Sequence, residues 1–153
     1  MSKVQVEFKK LYQDSKLPKK AHDTDAGFDL HAYTANEFQG GVVDIWPNQR
    51  VLVKTGFALS IPVGFEGQVR PRSGLALKNG ITIVNSPGTI DAGFFSEVGV
   101  ILLNTSTELF RILHGDRIAQ LVIQKLPEIE VVEVQEFSTQ SERNLNGFGS
   151  TGV

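Results

Sequence analysis

Gly40-Gly41-Val42-Val43-Asp44-Ile45-Trp46-Pro47-Asn48-Gln49-Arg50-Val51-Leu52-Val53-Lys54-Thr55-Gly56-Phe57 is the stretch on which the fold class turns. Two short runs rich in Val, Ile and Leu, residues 40–45 and 50–57, flank Pro47-Asn48, a pair that favours a turn. The same pattern recurs outward from it. Residues 4–8 alternate polar and apolar, as a half-buried strand does, and residues 67–70, 81–84, 98–103, 117–124 and 129–134 are again apolar runs. Pro62-Val63-Gly64, Ser86-Pro87-Gly88 and His114-Gly115-Asp116 supply further turns between them. Many short strands at this spacing predict an all-β sandwich or barrel. Only residues 73–79 read as a helix, with Ser73 expected to cap its start and Gly80 to end it.

The chain has 153 residues, the size of one compact domain, with 41% hydrophobic and 21% charged residues, enough apolar content for a real core. A net charge of −2 argues against a partner as large and anionic as nucleic acid. A small anion needs only a few arginines and backbone N–H groups. There is no cysteine, so disulfides, thiolate metal sites and a Cys nucleophile are excluded. His22, His31 and His114 lack ligand-like spacing, so no caged transition metal is expected. No apolar run approaches membrane-spanning length and the N-terminus does not read as a signal peptide, so the expected compartment is cytoplasmic, or nuclear.

The last eleven residues, Arg143-Asn144-Leu145-Asn146-Gly147-Phe148-Gly149-Ser150-Thr151-Gly152-Val153, differ in kind. Rich in Gly, hydroxyl and amide side chains, they are expected to stay mobile until a ligand orders them. Residues 147–152 spell G-x-G-x-x-G, but a dinucleotide fingerprint needs a helix opening after it, and only Val153 follows in this sequence. What remains is a potential anion cradle of bare N–H groups, Ser150 and Thr151 hydroxyls and Arg143, set against the bland possibility of a frayed end. Phe148 has no core to join there, and stacking on a nucleobase is worth about 1–3 kcal/mol.

Four other stretches carry candidate chemistry, each with a plainer alternative. Pro71-Arg72-Ser73-Gly74 offers a guanidinium fork, a hydroxyl and helix-opening N–H groups to a phosphate, or is simply a helix start with a surface Arg. Residues 85–94 form a hairpin-like stretch whose Asp91 is either a general base or a turn carboxylate bonded to its own backbone. Gly115-Asp116-Arg117-Ile118-Ala119-Gln120 reads as a turn feeding a core strand that carries the neutral donor Gln120. Asp29, in Ala26-Gly27-Phe28-Asp29-Leu30, is either a solvated edge residue or a group that orients metal-bound water.

Taken in order, Ala26-Gly27-Phe28-Asp29-Leu30-His31-Ala32, Pro71-Arg72-Ser73-Gly74-Leu75-Ala76, residues 85–99, Gly115-Asp116-Arg117-Ile118-Ala119-Gln120-Leu121 and residues 143–152 resemble the five ordered motifs of the homotrimeric dUTP pyrophosphatases (dUTPases). The resemblance runs from about residue 17 to the end of the sequence. It implies a distorted jelly-roll β-barrel over residues 1–142 and a C-terminal arm, residues 143–153, that closes over a neighbour's active site in a homotrimer with shared sites.

The implied reaction converts dUTP and water to dUMP and pyrophosphate, which supplies the dTTP precursor and keeps uracil out of DNA. Mg²⁺ would be held by the triphosphate and waters, with no direct protein ligand. By the same resemblance Asp91 activates the water, and Asn85 with backbone groups near Gly88, Ile90 and Gly99 reads the uracil edge. Phe94 packs on the deoxyribose; Arg72, Ser73, Gly74 and Gln120 contact phosphates. Arg143, Ser150 and Thr151 clamp the γ-phosphate beside Gly149, Phe148 stacks on the base, and Asp29 sits near the metal waters. Phe94 stands where the family has Tyr, which keeps the ring and loses the phenol oxygen. Phe95-Ser96 replaces a polar residue and Gly, and Asn144 and Asn146 occupy positions often held by glycine. The alternatives are a dCTP deaminase on the same fold, which would need a carboxylate near Ile101, and a nucleotide-binding regulator without catalysis, which would be expected to lack Asp91.

Overall fold

The computed structural model describes residues 3–36 and 38–138. The arm residues Arg143, Asn144, Asn146, Phe148, Gly149, Ser150 and Thr151 therefore lie outside the described residues. The elements in chain order are β1 (Glu7–Lys10), β2 (Phe28–His31), β3 (Val42–Ile45), β4 (Arg50–Ser60), β5 (Phe65–Arg70), α1 (Ser73–Asn79), β6 (Ile81–Ile83), β7 (Gly88–Ile90), β8 (Glu97–Asn104), β9 (Phe110–Leu113) and β10 (Arg117–Lys125). They build two four-stranded antiparallel sheets, ordered β1-β4-β8-β6 and β2-β10-β5-β7, and a ribbon of β3 with β9. The chain is all-β with one short helix, a jelly-roll-like arrangement whose sheets stay open.

Alternation explains which face each strand buries. In β8, Val98, Val100, Leu102 and Asn104 point inward while Glu97, Gly99, Ile101 and Leu103 are partly exposed. Phe57, Leu30, Ile45, Leu102, Ile118 and Leu121 are each at most 2% exposed and form the shared core between the sheets. Burying side chains of this size contributes about 1.5–3 kcal/mol apiece. The inward polar group Asn104 is fully satisfied: its Nδ2 donates to Ile45 O and Glu108 O, both at 2.8 Å, and its Oδ1 accepts from Ser106 N at 2.9 Å.

The helix spans the residues expected of it, and Gly80 ends it in the left-handed region with φ 64°. Ser73 is not its cap: Arg72 occupies the N-cap position, extended and without a side-chain cap bond, and the helix opens on Ser73 itself. Residues 40 and 41 do not begin β3 either, because Gly40 and Gly41 turn through φ 70° and 69° before it. The apolar run at 129–134 forms no strand. Pro127 follows β10 closely, and the segment beyond it has no ladder partner among the described residues. Ile129, Val131 and Val132 are consequently 77%, 94% and 64% exposed. The strands β2, β7 and β9 were not anticipated.

β4 kinks at Gly56, where its register with β8 shifts between Lys54 and Ala58. Gly56 has φ 73°, its N–H donates to Glu97 Oε1 at 2.9 Å, and its carbonyl accepts from Leu11 N at 2.9 Å. A Cβ added there lies 2.5 Å from Ser15 Oγ and 2.9 Å from the Tyr33 ring. Left-handed strain and overpacking each cost about 1–3 kcal/mol, so Gly56→Ala is expected to lose about 3 kcal/mol of unfolding free energy in urea titration. A loss below about 1 kcal/mol would show that the bulge relaxes freely.

Candidate active site

Two groups of residues stand out, and each is assembled by the way the chain moves between sheets. β6 belongs to the first sheet, with Ile83 opposite Leu102, while β7 belongs to the second, with Ile90 opposite Gly67. Residues 84–87 must therefore cross from one sheet to the other. The crossing is tied down by Val84 N donating to Ile101 O at 3.0 Å and by the Ser86 hydroxyl donating to Ile83 O. After β7 a turn closed by Phe94 N on Asp91 O at 3.0 Å brings the chain back towards β8.

The out-and-back path leaves a cleft of about 100 Å³ whose lining includes Asn85, Gly88, Ile90, Phe94 and Gly99. These are the residues expected to hold the base and sugar, and one cleft gathers all five. Ile83, Val98 and Ile101 are also in its lining, which polar and apolar atoms share. The Asn85 amide nitrogen packs close over Gly88, where an added Cβ would sit 3.1 Å from it. Phe94 is 41% exposed. Asp91 is exposed and is the first residue after β7. The cleft lining contains no carboxylate among the described residues, and Ile101, aligned with the deaminase Glu, presents only an alkyl chain. Glu97 is occupied elsewhere, accepting from Gly56 N and lying 3.7 Å from Lys54 Nζ.

The second group forms where β5 runs into α1. Asp29 on β2 lies opposite Gln120 on β10, which in turn lies opposite Arg70 on β5. The Asp29 carboxylate receives two guanidinium groups, Arg72 Nε at 3.5 Å and Arg117 Nη1 at 3.4 Å. Arg72 Nη1 also donates to Arg117 O at 3.3 Å, and Gln120 Nε2 donates to Pro71 O at 2.9 Å. Two cations share one carboxylate, and a second carboxylate, Asp116, lines the same depression. His31 lies opposite Arg117. Burial pushes its imidazole below the ordinary histidine value, Lys16, Arg117 and Arg72 push the same way, and Asp29 opposes them. Its Nδ1 is buried without a hydrogen-bond partner among the described residues. Ser73 and Gly74 are exposed beside Arg72, and an added Cβ on Gly74 meets nothing within 4 Å.

Arg72 and Asn85 thus line separate depressions, while Gln120 lines a third with Arg70, Pro71, Ser86 and Pro87. Arg72 lines one with Leu75, Phe110, Asp116, Arg117 and Ile118, none of which lines the Asn85 cleft. Asp116 and Ile118 take the plain roles foreseen for them: Asp116 Oδ2 accepts from Leu113 N at 2.8 Å in the turn, and Ile118 is 2% exposed in the core. Arg117 was not singled out from sequence. Its signal was an Arg at the mouth of the strand that carries Gln120.

Comparison with known proteins gives the same assignment by an independent route. The family model for dUTPase matches residues 13–152. A deoxyuridine 5'-triphosphate nucleotidohydrolase from Clostridium tetani (strain Massachusetts / E88) is 44% identical over 152 residues, covering 99% of each chain. One from Hydrogenobaculum sp. (strain Y04AAS1) is 48% identical over 145 residues, covering 95% of this chain and 96% of its own. Among solved structures, the dUTPase of Staphylococcus bacteriophage 80alpha with dUpNHpp superposes with a TM-score of 0.83 at 31% identity, covering 97% of this chain and 99% of the phage protein. A mutant dUTPase of phage phi11 of S. aureus, whose structure describes coordination of a structural Mg(II) ion, superposes with a TM-score of 0.75 at 27% identity over 88% of this chain and 99% of its own. With a family match over nearly the whole length and relatives above 40% identity, this chain belongs to the dUTPase family.

Proposed function

We propose that this chain hydrolyses dUTP to dUMP and pyrophosphate as a homotrimer, working in the cytoplasm to supply the dTTP precursor and keep uracil out of DNA. The observation that carries this is the single cleft lined by Asn85, Gly88, Ile90, Phe94 and Gly99, with Asp91 following β7 directly. A small cleft lined by the Asn85 amide together with apolar side chains suits a uracil ring, and a base with the wrong hydrogen-bond edge would leave polar groups unpaired. The Phe94 ring packs on the deoxyribose and leaves no room for a 2′-hydroxyl. The relatives named for dUTP hydrolysis and the phage enzyme with dUpNHpp support the same substrate.

Asp91 takes a proton from the attacking water. The water oxygen bonds to the α-phosphorus, the α–β anhydride breaks, and pyrophosphate leaves. Arg72, Ser73, Gly74 and Gln120 hold the phosphates, and Arg117 joins them through the Asp29 pairing. Phosphoryl transfer of this kind depends mostly on positioning and charge neutralisation. Among the described residues no three His, Asp or Glu side chains gather to hold a metal ion, and the Asp29 carboxylate is taken up by two arginines. Mg²⁺ would enter with the substrate, carried by the triphosphate, where it would neutralise phosphate charge, with Asp29 near its waters.

The trimer is supported by two features of the chain. The base cleft and the arginine corner are separate in one copy, so a neighbour's corner facing this cleft would complete a site. The exposed apolar run at 129–134 has no cover among the described residues. The arm, residues 143–153, closes the site, with Arg143, Ser150 and Thr151 on the γ-phosphate beside Gly149 and Phe148 on the base.

With Mg²⁺ and dUTP, dCTP or dTTP, the expected product is pyrophosphate from dUTP alone; ammonia from dCTP would install the deaminase, and binding without turnover the regulator. Asp91→Asn is expected to keep dUTP binding while hydrolysis falls at least about a hundredfold, the usual worth of a general base, and near-normal turnover would remove Asp91 from that role. Removing residues 143–153 is expected to abolish most turnover while sedimentation still shows the trimer. A truncated enzyme with full activity would refute the arm's role.

A further inference from the structure

Gly27 lies just before β2 and takes part in none of the contacts proposed above. Its backbone is not in the left-handed region, since the positive-φ glycines among the described residues are Gly40, Gly41, Gly56, Gly64, Gly80 and Gly115. Any residue type could adopt its conformation. What forbids a side chain is one neighbour: a Cβ built on Gly27 collides with Oε1 of Gln120 and lies 3.2 Å from its Cδ and 3.3 Å from its Cβ. Gln120 lies diagonally across the β2–β10 ladder from Gly27, on the same face as Asp29.

The strand cannot easily retreat from that contact. Asp29 N donates to Lys19 O at 2.8 Å on the outer side, Phe28 pairs with Leu121 on the inner side, and Lys20 Nζ sits 5.0 Å from the Phe28 ring centre. The far end of Gln120 is the part free to move. Its amide nitrogen holds the Pro71 carbonyl at 2.9 Å, and Pro71 immediately precedes Arg72. Arg72 is therefore anchored through this bond on the backbone side and through Asp29 and the Arg117 carbonyl at the guanidinium.

We infer that Gly27 is a positioning residue for the triphosphate: the space it leaves open lets Gln120 lie flat, hold the Pro71 carbonyl and so set the direction of Arg72. A methyl at position 27 displaces the Gln120 amide, releases Pro71 and takes two phosphate contacts out of place, while the base cleft is untouched. The inference rests on the assignment of Arg72 and Gln120 to phosphate binding, so it is tested by binding and not by turnover.

The experiment compares dUpNHpp and dUMP by calorimetry on wild type, Gly27→Ala, Gln120→Ala and the double variant. Gly27→Ala is expected to weaken dUpNHpp about tenfold, the worth of a lost hydrogen bond to a charged group, with dUMP changed less than about twofold. In the Gln120→Ala background the same substitution is expected to change dUpNHpp affinity less than about twofold, because the group it acts through is gone. Equal weakening of both ligands would mark a merely structural role and overturn the inference, as would losses that multiply in the double variant. If Gly27→Ala does not fold, the double variant, which lacks the colliding oxygen, is expected to regain cooperative unfolding; failure to do so also overturns it. Wild type that binds dUpNHpp while Gly27→Ala binds it equally well would end the role of Gly27 and leave the proposed function standing. Wild type that does not bind dUpNHpp would end both.

Discussion

The site depends on one constraint: two four-stranded sheets bury their apolar faces against each other without a hydrogen-bonded ladder joining them. Side chains such as Phe57, Leu30, Leu102 and Leu121 hold the sheets together, while the strand ladders run within each sheet. Successive strands that lie in different sheets must be joined by segments that leave one ladder and enter the other. The β6–β7 crossing and the β7–β8 return are two such segments in a row, and both contribute lining to one cleft. A cleft is what remains between a path that leaves and a path that returns. The base pocket is thus a consequence of topology, lined by Asn85 and Phe94 because those residues fall on the crossing and the return.

The arginine corner follows from a different rule. Strands β2, β10 and β5 lie side by side, so Asp29, Gln120 and Arg70 form one row across the sheet, and Arg72 is the second residue beyond the end of β5. A carboxylate in that row can meet both Arg72 and Arg117, and it orders them at the cost of part of their charge. Two guanidiniums to one carboxylate is a compromise between aiming the cations and keeping them positive. Asp29 is 20% exposed at its side chain, so water still screens the pairs and each is worth little to stability. Their value lies in geometry: a guanidinium held in place loses less freedom when a phosphate arrives.

Much of this was legible before the structure, and the omissions share a physical origin. Long apolar runs such as residues 50–57 and 98–103 announced β4 and β8, because burial on one face imposes alternation that a single sequence displays. The strands β2, β7 and β9 have only three or four residues, with Gly88, Asp29 or Arg111 within them, and too few positions for a period to appear. The run at 129–134 failed in the opposite direction. Its periodicity states what the segment could bury, while a strand also needs an edge with free N–H and C=O groups, and none among the described residues reaches it. Within the site, Asn85, Gly88, Ile90, Phe94 and Gly99 were recognisable from motif order. That Asp29 pairs with Arg117, 88 positions away, was not, since pairing across a sheet depends on register and register is set by the whole ladder.

Gly56 and Gly27 show how two identical residues can answer to different demands. At Gly56 the backbone itself is left-handed and the space is filled by Ser15 and Tyr33, so both the chain and its packing require glycine, and the consequence of change is instability. At Gly27 the backbone is ordinary and the nearest obstacle among the described residues is the side chain of Gln120, so the consequence of change passes to whatever Gln120 was holding. Gly74 is a third case, ordinary in backbone and open on every side. Among the described residues nothing asks position 74 to lack a side chain, although it follows Arg72-Ser73 at the arginine corner. A requirement for glycine there must come from something that approaches from outside, and on the proposed function that is the triphosphate, lying close enough to the backbone that a methyl group would stand in its place.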